Sequence, residues 1–386
     1  MKIIIAICFY ILQPALWVGI IRAYLIHNRR VKQERKLFSS AIYEDFYEGR
    51  HFVRSALVFG ILASIGLGWF LSVSAAWVML YEVAMLISLV VLPGQFLSVS
   101  LVSLVSLMIL AVPNISDSLQ VNHWLGRLGL SDKTVNPLSY LVLVTMVIFL
   151  SGIFIRMNAG KFNSPMIARN TRNTKVAVYR FNELTIFPLV MFVPGDWFSS
   201  HLSFIPFLQV NGHSYAILAV PILIGLKLTV KKNNPPVFFT KLSKKILYLA
   251  LFGALLVIGG GFYRLIITPA VAILLIGYYL IIGTAKHQDN QVDFEYSEVM
   301  DGIRVIGIQP ETPAAKMDLD IGDVILTVNN IAVANEDEFY RALSTNSTYC
   351  RFKVRDRNDQ LKITESAIFK NSPHEIGVKT YSQAMK

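Results

Sequence analysis

The stretch IQPETPAAKMDLDIGDVILTVNN, Ile308 to Asn330, decides the fold of the C-terminal part of the chain. It opens at the end of a β-branched run, GIRVIGIQP, which reads as a strand stopped by Pro310. Thr312 stands at an N-cap position and Pro313 at the first helical position, so one turn of helix follows. DVILTVNNIAV then reads as two strands around Asn329-Asn330, a tight turn of residues that tolerate positive φ. Further out, NEDEFYRALS is a helix: Asn335 caps it, Glu336 to Glu338 fill its first turn, and Phe339, Ala342 and Leu343 share one face. YCRFKVRDRNDQLKITES alternates on both sides of DRND and predicts a hairpin.

Strand, short helix, hairpin, helix, hairpin resembles a PDZ domain of the bacterial type. The family pattern P-x-S-P-A-A-x-x-G-L-x-x-G-D-x-I-x-x-V-N-G is met by Pro313, Ala314, Ala315, Leu319, Gly322, Asp323, Ile325, Val328 and Asn329. It is departed from at Asp318 and Asn330, where glycine is usual. Both residue types tolerate the left-handed region better than other non-glycines. The resemblance implies a domain over 297–386 that binds an extended peptide by adding a strand to a sheet edge. The nest signature is absent before the first strand, and HEIGVKTY (His374 to Tyr381) resembles it at the far end. That is a circularly permuted arrangement. Glu375, Ile376 and Gly377 would form the nest, Val378 to Tyr381 the edge strand, and Phe339, Tyr340 and Leu343 the helical wall. The alternative is a strand that only closes the domain.

Ahead of this module the chain is greasy. Mean hydropathy over all 386 residues is +0.51. Residues 1–285 carry a charge balance of +15 and residues 286–386 one of −4, so the basicity belongs to the apolar part. Basic residues flanking apolar runs face anionic lipid rather than nucleic acid. A spanning helix needs roughly 17–25 mostly apolar residues. Candidates lie at about 3–26, 52–72, 75–93, 95–113, 138–155, 181–198, 214–230, 246–262 and 265–283. Pro188, Pro194 and Gly195 interrupt the sixth. The expectation is therefore a polytopic α-helical membrane domain of eight or nine spans over 1–285, a linker over 286–296 and the PDZ domain. The run from Ile3 to Ile26 reads as a retained anchor, because no small-x-small cleavage site is evident.

Three basic connections orient the set: Arg29 to Lys36, Arg156 to Arg180, and Lys227 to Lys245. Nine spans with the N-terminus outside place all three, and the PDZ domain, in the cytoplasm. NHWLGRLGL (122–130) and DWFSSHLSF (196–204) then lie outside as aromatic interfacial segments. Glu82 is an ionisable residue within a span and so a candidate functional group; the alternative is a carboxyl bonded to the serines of SVSLVSLVSL (98–107). Small residues such as Gly66 and Gly68 suit close helix packing. Cys8 and Cys350 build neither a disulfide framework nor a metal site.

PDZ modules beside membrane spans often accompany proteases, so the chemistry matters. No two of the seven histidines are four apart, which excludes H-E-x-x-H zinc. No G-x-S-G-G loop, second intramembrane carboxylate or Walker motif is present. No cofactor is expected. A transporter would need repeats or paired broken helices, and FPLVMFVPGDW (187–197) stands alone. A polytopic anchor with a C-terminal PDZ domain resembles the MinJ cell-division topological determinants. The resemblance implies a non-catalytic scaffold at cell poles and division septa, bridging DivIVA to MinD–MinC and other FtsZ-associated factors. A regulator of a membrane or envelope protease pathway, or a degenerate PDZ-bearing intramembrane protease, stays open as the alternative. The oligomeric state stays open too, a homo-oligomer included.

Overall fold

The computed structural model describes residues 10–91, 98–115, 136–170, 172–194, 207–210, 213–291, 294–346, 348–367 and 376–381. Helices α1 (Pro14–Phe38), α2 (Tyr47–Gly66), α3 (Ala75–Val91), α4 (Ser98–Ile115) and α5 (Leu138–Asn158) come first. A four-stranded sheet follows: β1 (Pro165–Arg169), β2 (Lys175–Pro194), β3 (Phe207–Val210) and β4 (His213–Val230), in spatial order β1-β2-β4-β3. Helices α6 (Pro235–Phe262) and α7 (Ile267–Gln291) complete the apolar part.

The expected sixth and seventh spans are therefore strands. β2 and β4 pair antiparallel from Tyr179↔Val230 to Pro194↔Tyr215. Every residue from Leu184 to Phe187 and from Leu218 to Leu226 is buried. A strand covered on both faces is apolar throughout, so its period of two disappears and the run imitates a spanning helix. The count of eight or nine helical spans falls with this. Among the described residues, three helices are long and apolar enough to cross a bilayer: α5, α6, and α7 with the single turn before it. α3 and α4 are shorter apolar helices. α1 begins within the first expected span, and residues 1–9 lie outside the described part. α5 is mostly enclosed by its neighbours, whereas α6 and α7 expose Leu251, Leu255, Ile258, Ile273, Ile276 and Leu280. Such an apolar surface suits lipid rather than water.

A sheet in an apolar environment must have its outer backbone groups met by protein. Here side chains do so. Ser64 on α2 accepts from Val190 N (3.0 Å) and donates to Pro188 O (3.4 Å). Tyr81 on α3 accepts from Leu223 N (3.0 Å), and Gln13 donates to Ala219 O (3.2 Å). Phe192 exchanges two bonds with the segment after α2, Phe192 N to Leu71 O and Val73 N to Phe192 O. Pro188 and Pro221 face each other across the hairpin. Strand alternation turns their nitrogens outward, as it does at Val190 and Leu223, so neither proline breaks a ladder bond and no outward N–H is left there to satisfy. Gly68 allows the approach: a Cβ there would lie 2.3 Å from Val190 O. Gly66, read as a packing residue, meets nothing within 4 Å.

The hairpin leaves and returns on one side, so the basic connections after α5 and before α6 share that side. This parity survives although the spans do not. Asp289 near the end of α7 secures the return, accepting from Lys231 N (2.8 Å), Lys232 N (3.2 Å) and Asn233 N (3.0 Å). α7 continues to Gln291, so much of the stretch read as linker is helical.

The C-terminal module is a compact α/β unit with β5 (Ile303–Arg304), β6 (Gly307–Ile308), α8 (Pro313–Lys316), β7 (Val324–Val328), β8 (Ile331–Ala332), α9 (Glu336–Ser344), β9 (Tyr349–Arg355), β10 (Leu361–Ala367) and β11 (Val378–Lys379). One sheet runs β10-β9-β7-β5 with β8 on β7, and β11 pairs with β6. The predicted turns hold: Val328↔Ile331 flank Asn329 and Asn330, at φ 49° and 69°. Asp318 is not among the positive-φ residues, so it needs none of the left-handed tolerance expected of it. Thr312 stands at the N-cap of α8, but its hydroxyl donates to Gln309 O (2.6 Å) instead of capping.

Candidate functional site

The candidate site is the edge strand β11 with helix α9. Asn335 accepts from Glu338 N (2.9 Å), and Glu338 reaches back to Ala334 N (2.8 Å), a reciprocal cap that starts α9 where the sequence placed it. Asn329 ties α9 to the sheet: its side chain donates to Ala342 O (3.1 Å) and accepts from Arg351 N (3.1 Å). Phe339 and Ala342 are each 1% exposed, and Phe339 packs on Phe352 at 5.7 Å. Phe339 is thus a core residue. Tyr340 is 44% exposed and meets Phe339 edge-on at 5.5 Å, and Leu343 is half-buried.

On the strand side, Gln309 N donates to Gly377 O (2.8 Å) and Ile306 N to Lys379 O (2.9 Å). Residues 377 and 379 therefore face β6, and Val378 turns its own amide and carbonyl toward the opposite edge. Ile376 and Val378 send their side chains into the domain core. Gly377 has φ +88°, and a Cβ there would lie 2.0 Å from Thr312 Oγ1, so only glycine fits. His374 and Glu375 lie outside the described residues.

Tyr381, expected on the groove, does something else. Its hydroxyl donates to Tyr296 O, and the ring joins Ala177, Tyr179, Tyr296 and Ile306 in a small core between the two parts of the chain. Tyr179 on β2 donates to Ile306 O (2.8 Å), Ala177 N to Tyr296 O (3.0 Å) and Glu298 N to Lys175 O (3.0 Å). Lys379 reaches Ser40 Oγ (2.7 Å), and Ile42 fills the space beside Gly307. The PDZ module is stitched to the foot of the four-stranded sheet. Burial of Tyr179 and Tyr381 pushes both phenols above their ordinary pKa, so they stay protonated donors. Sequence reasoning missed this seam; its one signal was Tyr179 in VAVYRF and Tyr296 in FEYSEV.

Glu82 lies half-buried on α3 and, among the described residues, takes no hydrogen-bond partner. The serines expected beside it are engaged elsewhere or alone. Ser106 accepts from Trp77 Nε1 (3.1 Å) and donates to Val102 O (2.7 Å), Ser100 meets Tyr279, and the buried hydroxyls of Ser98 and Ser103 have no partner among the described residues. The loops 122–130 and 196–204 fall outside the described residues.

The PDZ domain family matches residues 304–356. The chain is 28% identical over 375 residues to the cell division topological determinant MinJ of Bacillus subtilis (strain 168), covering 96% of this chain and 92% of that protein. It is 28% identical over 227 residues to the probable cell division topological determinant MinJ of Lacticaseibacillus paracasei, covering 58% and 60%. Apolar helices, a docked PDZ module and 28% identity along nearly the whole length make this chain similar to the MinJ topological determinants, with a PDZ domain matched near its C-terminal end.

Proposed function

We propose that the protein is a non-catalytic membrane scaffold that positions cell-division proteins through its PDZ domain. The observation that carries this is the stitched seam: a peptide-binding type of module held at a fixed place on an apolar anchor suits presentation of a docking edge. Relatives named as division topological determinants support the same direction. By resemblance, the partners are DivIVA and MinD–MinC or other FtsZ-associated factors. The N-terminus lies outside, the basic connections and the PDZ domain face the cytoplasm, and the protein gathers at poles and septum. Peptide docking of this kind sits near micromolar affinity, about −8 kcal/mol, and clustering raises the avidity.

A photo-crosslinking residue at Tyr340, read out in living cells, tests the reading. Capture of a division protein that is lost on Val378→Pro supports it. Val378 N–H points away from β6, so proline removes the donor a docked peptide needs and spares the ladder. Capture that ignores this change, or none at all, refutes the groove.

A further inference from the structure

A second site lies where α1 leaves the apolar region. Arg22, Ile26, Arg29, Gln33 and Lys36 fall on positions i, i+4, i+7, i+11 and i+14, one face of α1. That face, Arg180 and Asn182 on β2 and Lys227 on β4 enclose a cavity of about 390 Å³. Arg22 is 9% exposed, and its Nε finds no acceptor among the described residues. The buried amide oxygen of Asn182 is unpaired as well.

The carboxylates in the wall are committed elsewhere. Glu48 takes Arg30 Nε at 2.6 Å and His27 at 3.3 Å, and Glu183 takes His51 at 2.8 Å. Among the described residues Arg22 therefore has no counter-ion, while Arg29, Lys36, Arg180 and Lys227 add charge of the same sign around it. A buried cation without an acceptor is costly, and an anion removes that cost. The depth selects the anion. About one and a half to three turns before Arg29, α1 exposes Trp17, Ile20, Ile21 and Tyr24; the cations Arg29 to Lys36 follow. Aromatic and aliphatic residues giving way to cations mark the headgroup level of a bilayer.

We propose that the cavity between α1 and the foot of the β2–β4 hairpin binds the phosphate of an anionic phospholipid headgroup, with Arg22 as its buried ligand and Arg180 and Lys227 at its rim. The site deepens the orientation proposed above, in which this basic end faces the inner leaflet. It makes lipid a built-in ligand rather than a diffuse counter-charge.

The test uses the full-length protein, delipidated in a neutral detergent, with its thermal unfolding followed during addition of phosphatidylglycerol, phosphatidylcholine or inorganic phosphate. Phosphatidylglycerol raises the midpoint and the other two do not, by binding the folded state. Arg180→Gln and Lys227→Gln each weaken the apparent affinity about fivefold, and Arg22→Gln weakens it about tenfold or more. The two rim variants are exposed substitutions and keep the test decisive if Arg22→Gln fails to fold. Unchanged phosphatidylglycerol response in the rim variants overturns the site. Equal response to phosphatidylcholine overturns its charge selectivity, and equal response to inorganic phosphate shows a soluble-anion site instead. A normal lipid response with no polar foci in cells would overturn the scaffold role and leave this site standing.

Discussion

Tyr179→Phe isolates one bond of the seam. The ring of Tyr179 is 3% exposed, packs edge-on against Tyr296 at 5.0 Å and donates to Ile306 O at 2.8 Å. Phenylalanine keeps the ring and leaves the Ile306 carbonyl buried without its donor, which costs about 1–3 kcal/mol. At about 2 kcal/mol the undocked population rises about 30-fold. Undocking exposes the amides that cross the seam, Ala177 N to Tyr296 O and Glu298 N to Lys175 O. Hydrogen exchange of the full-length protein should therefore quicken about 30-fold in peptides covering 175–179 and 296–308. The interior of the PDZ domain at 324–328 and 349–355 should hold its wild-type rate. Tyr179→Ala removes the ring as well and costs about 3–5 kcal/mol. Unchanged exchange at 175–179 in Tyr179→Phe would refute the docked arrangement. Loss of protection throughout the PDZ domain would show that the seam is part of its folding rather than a contact between two units.

Other consequences are as direct. Gly377→Ala should destabilise the PDZ domain by about 2–4 kcal/mol, from left-handed strain and collision with Thr312; a thermal midpoint equal to wild type contradicts the β11 geometry. Tyr81→Phe should lower the stability of the membrane part by about 1–3 kcal/mol, because Leu223 N loses its acceptor in a fully buried place; equal unfolding temperature in detergent would mean another group meets that amide. Burial pushes the Cys350 thiol up to about 11, so the folded domain holds it protonated. It should resist alkylation at pH 8 until unfolded, and the stability it contributes below pH 9 should fade as pH climbs toward 11; prompt labelling of the folded protein goes against that burial.

The PDZ elements were legible because local chemistry specifies them. Asn335 needs only Glu338 to cap α9, Asn329-Asn330 need only their own φ preference, and DRND closes its hairpin through Asp356, which accepts from Asn358 N and Gln360 N at 2.8 Å each. The four-stranded sheet was not legible by periodicity, since burial on both faces along much of β2 and β4 leaves LTIFPLVMFVP and YAILAVPILIG almost wholly apolar, without a period of two. Pro188 and Pro194, taken as interruptions of one helix, were the strand signal, and Pro221 sits opposite Pro188 in the hairpin. The residues expected on the groove divide by where they are placed. Val378 lies in β11 and Gly377 just before it, whereas Phe339 serves the core and Tyr381 the seam. Amphipathic spacing identifies the inner face of α9 without saying whether a core or a ligand covers it. The basic stripe on α1 was visible as charge, yet its convergence with Arg180 and Lys227 depends on a hairpin that had been read as helices.

The scaffold account is tested most directly by where the intact protein sits in its own cells. A fluorescent fusion expressed at native level should mark cell poles and the forming septum, and a fusion lacking residues 294–386 should stay in the membrane while recruiting no division protein. An even signal around the whole membrane for the intact fusion would contradict the account.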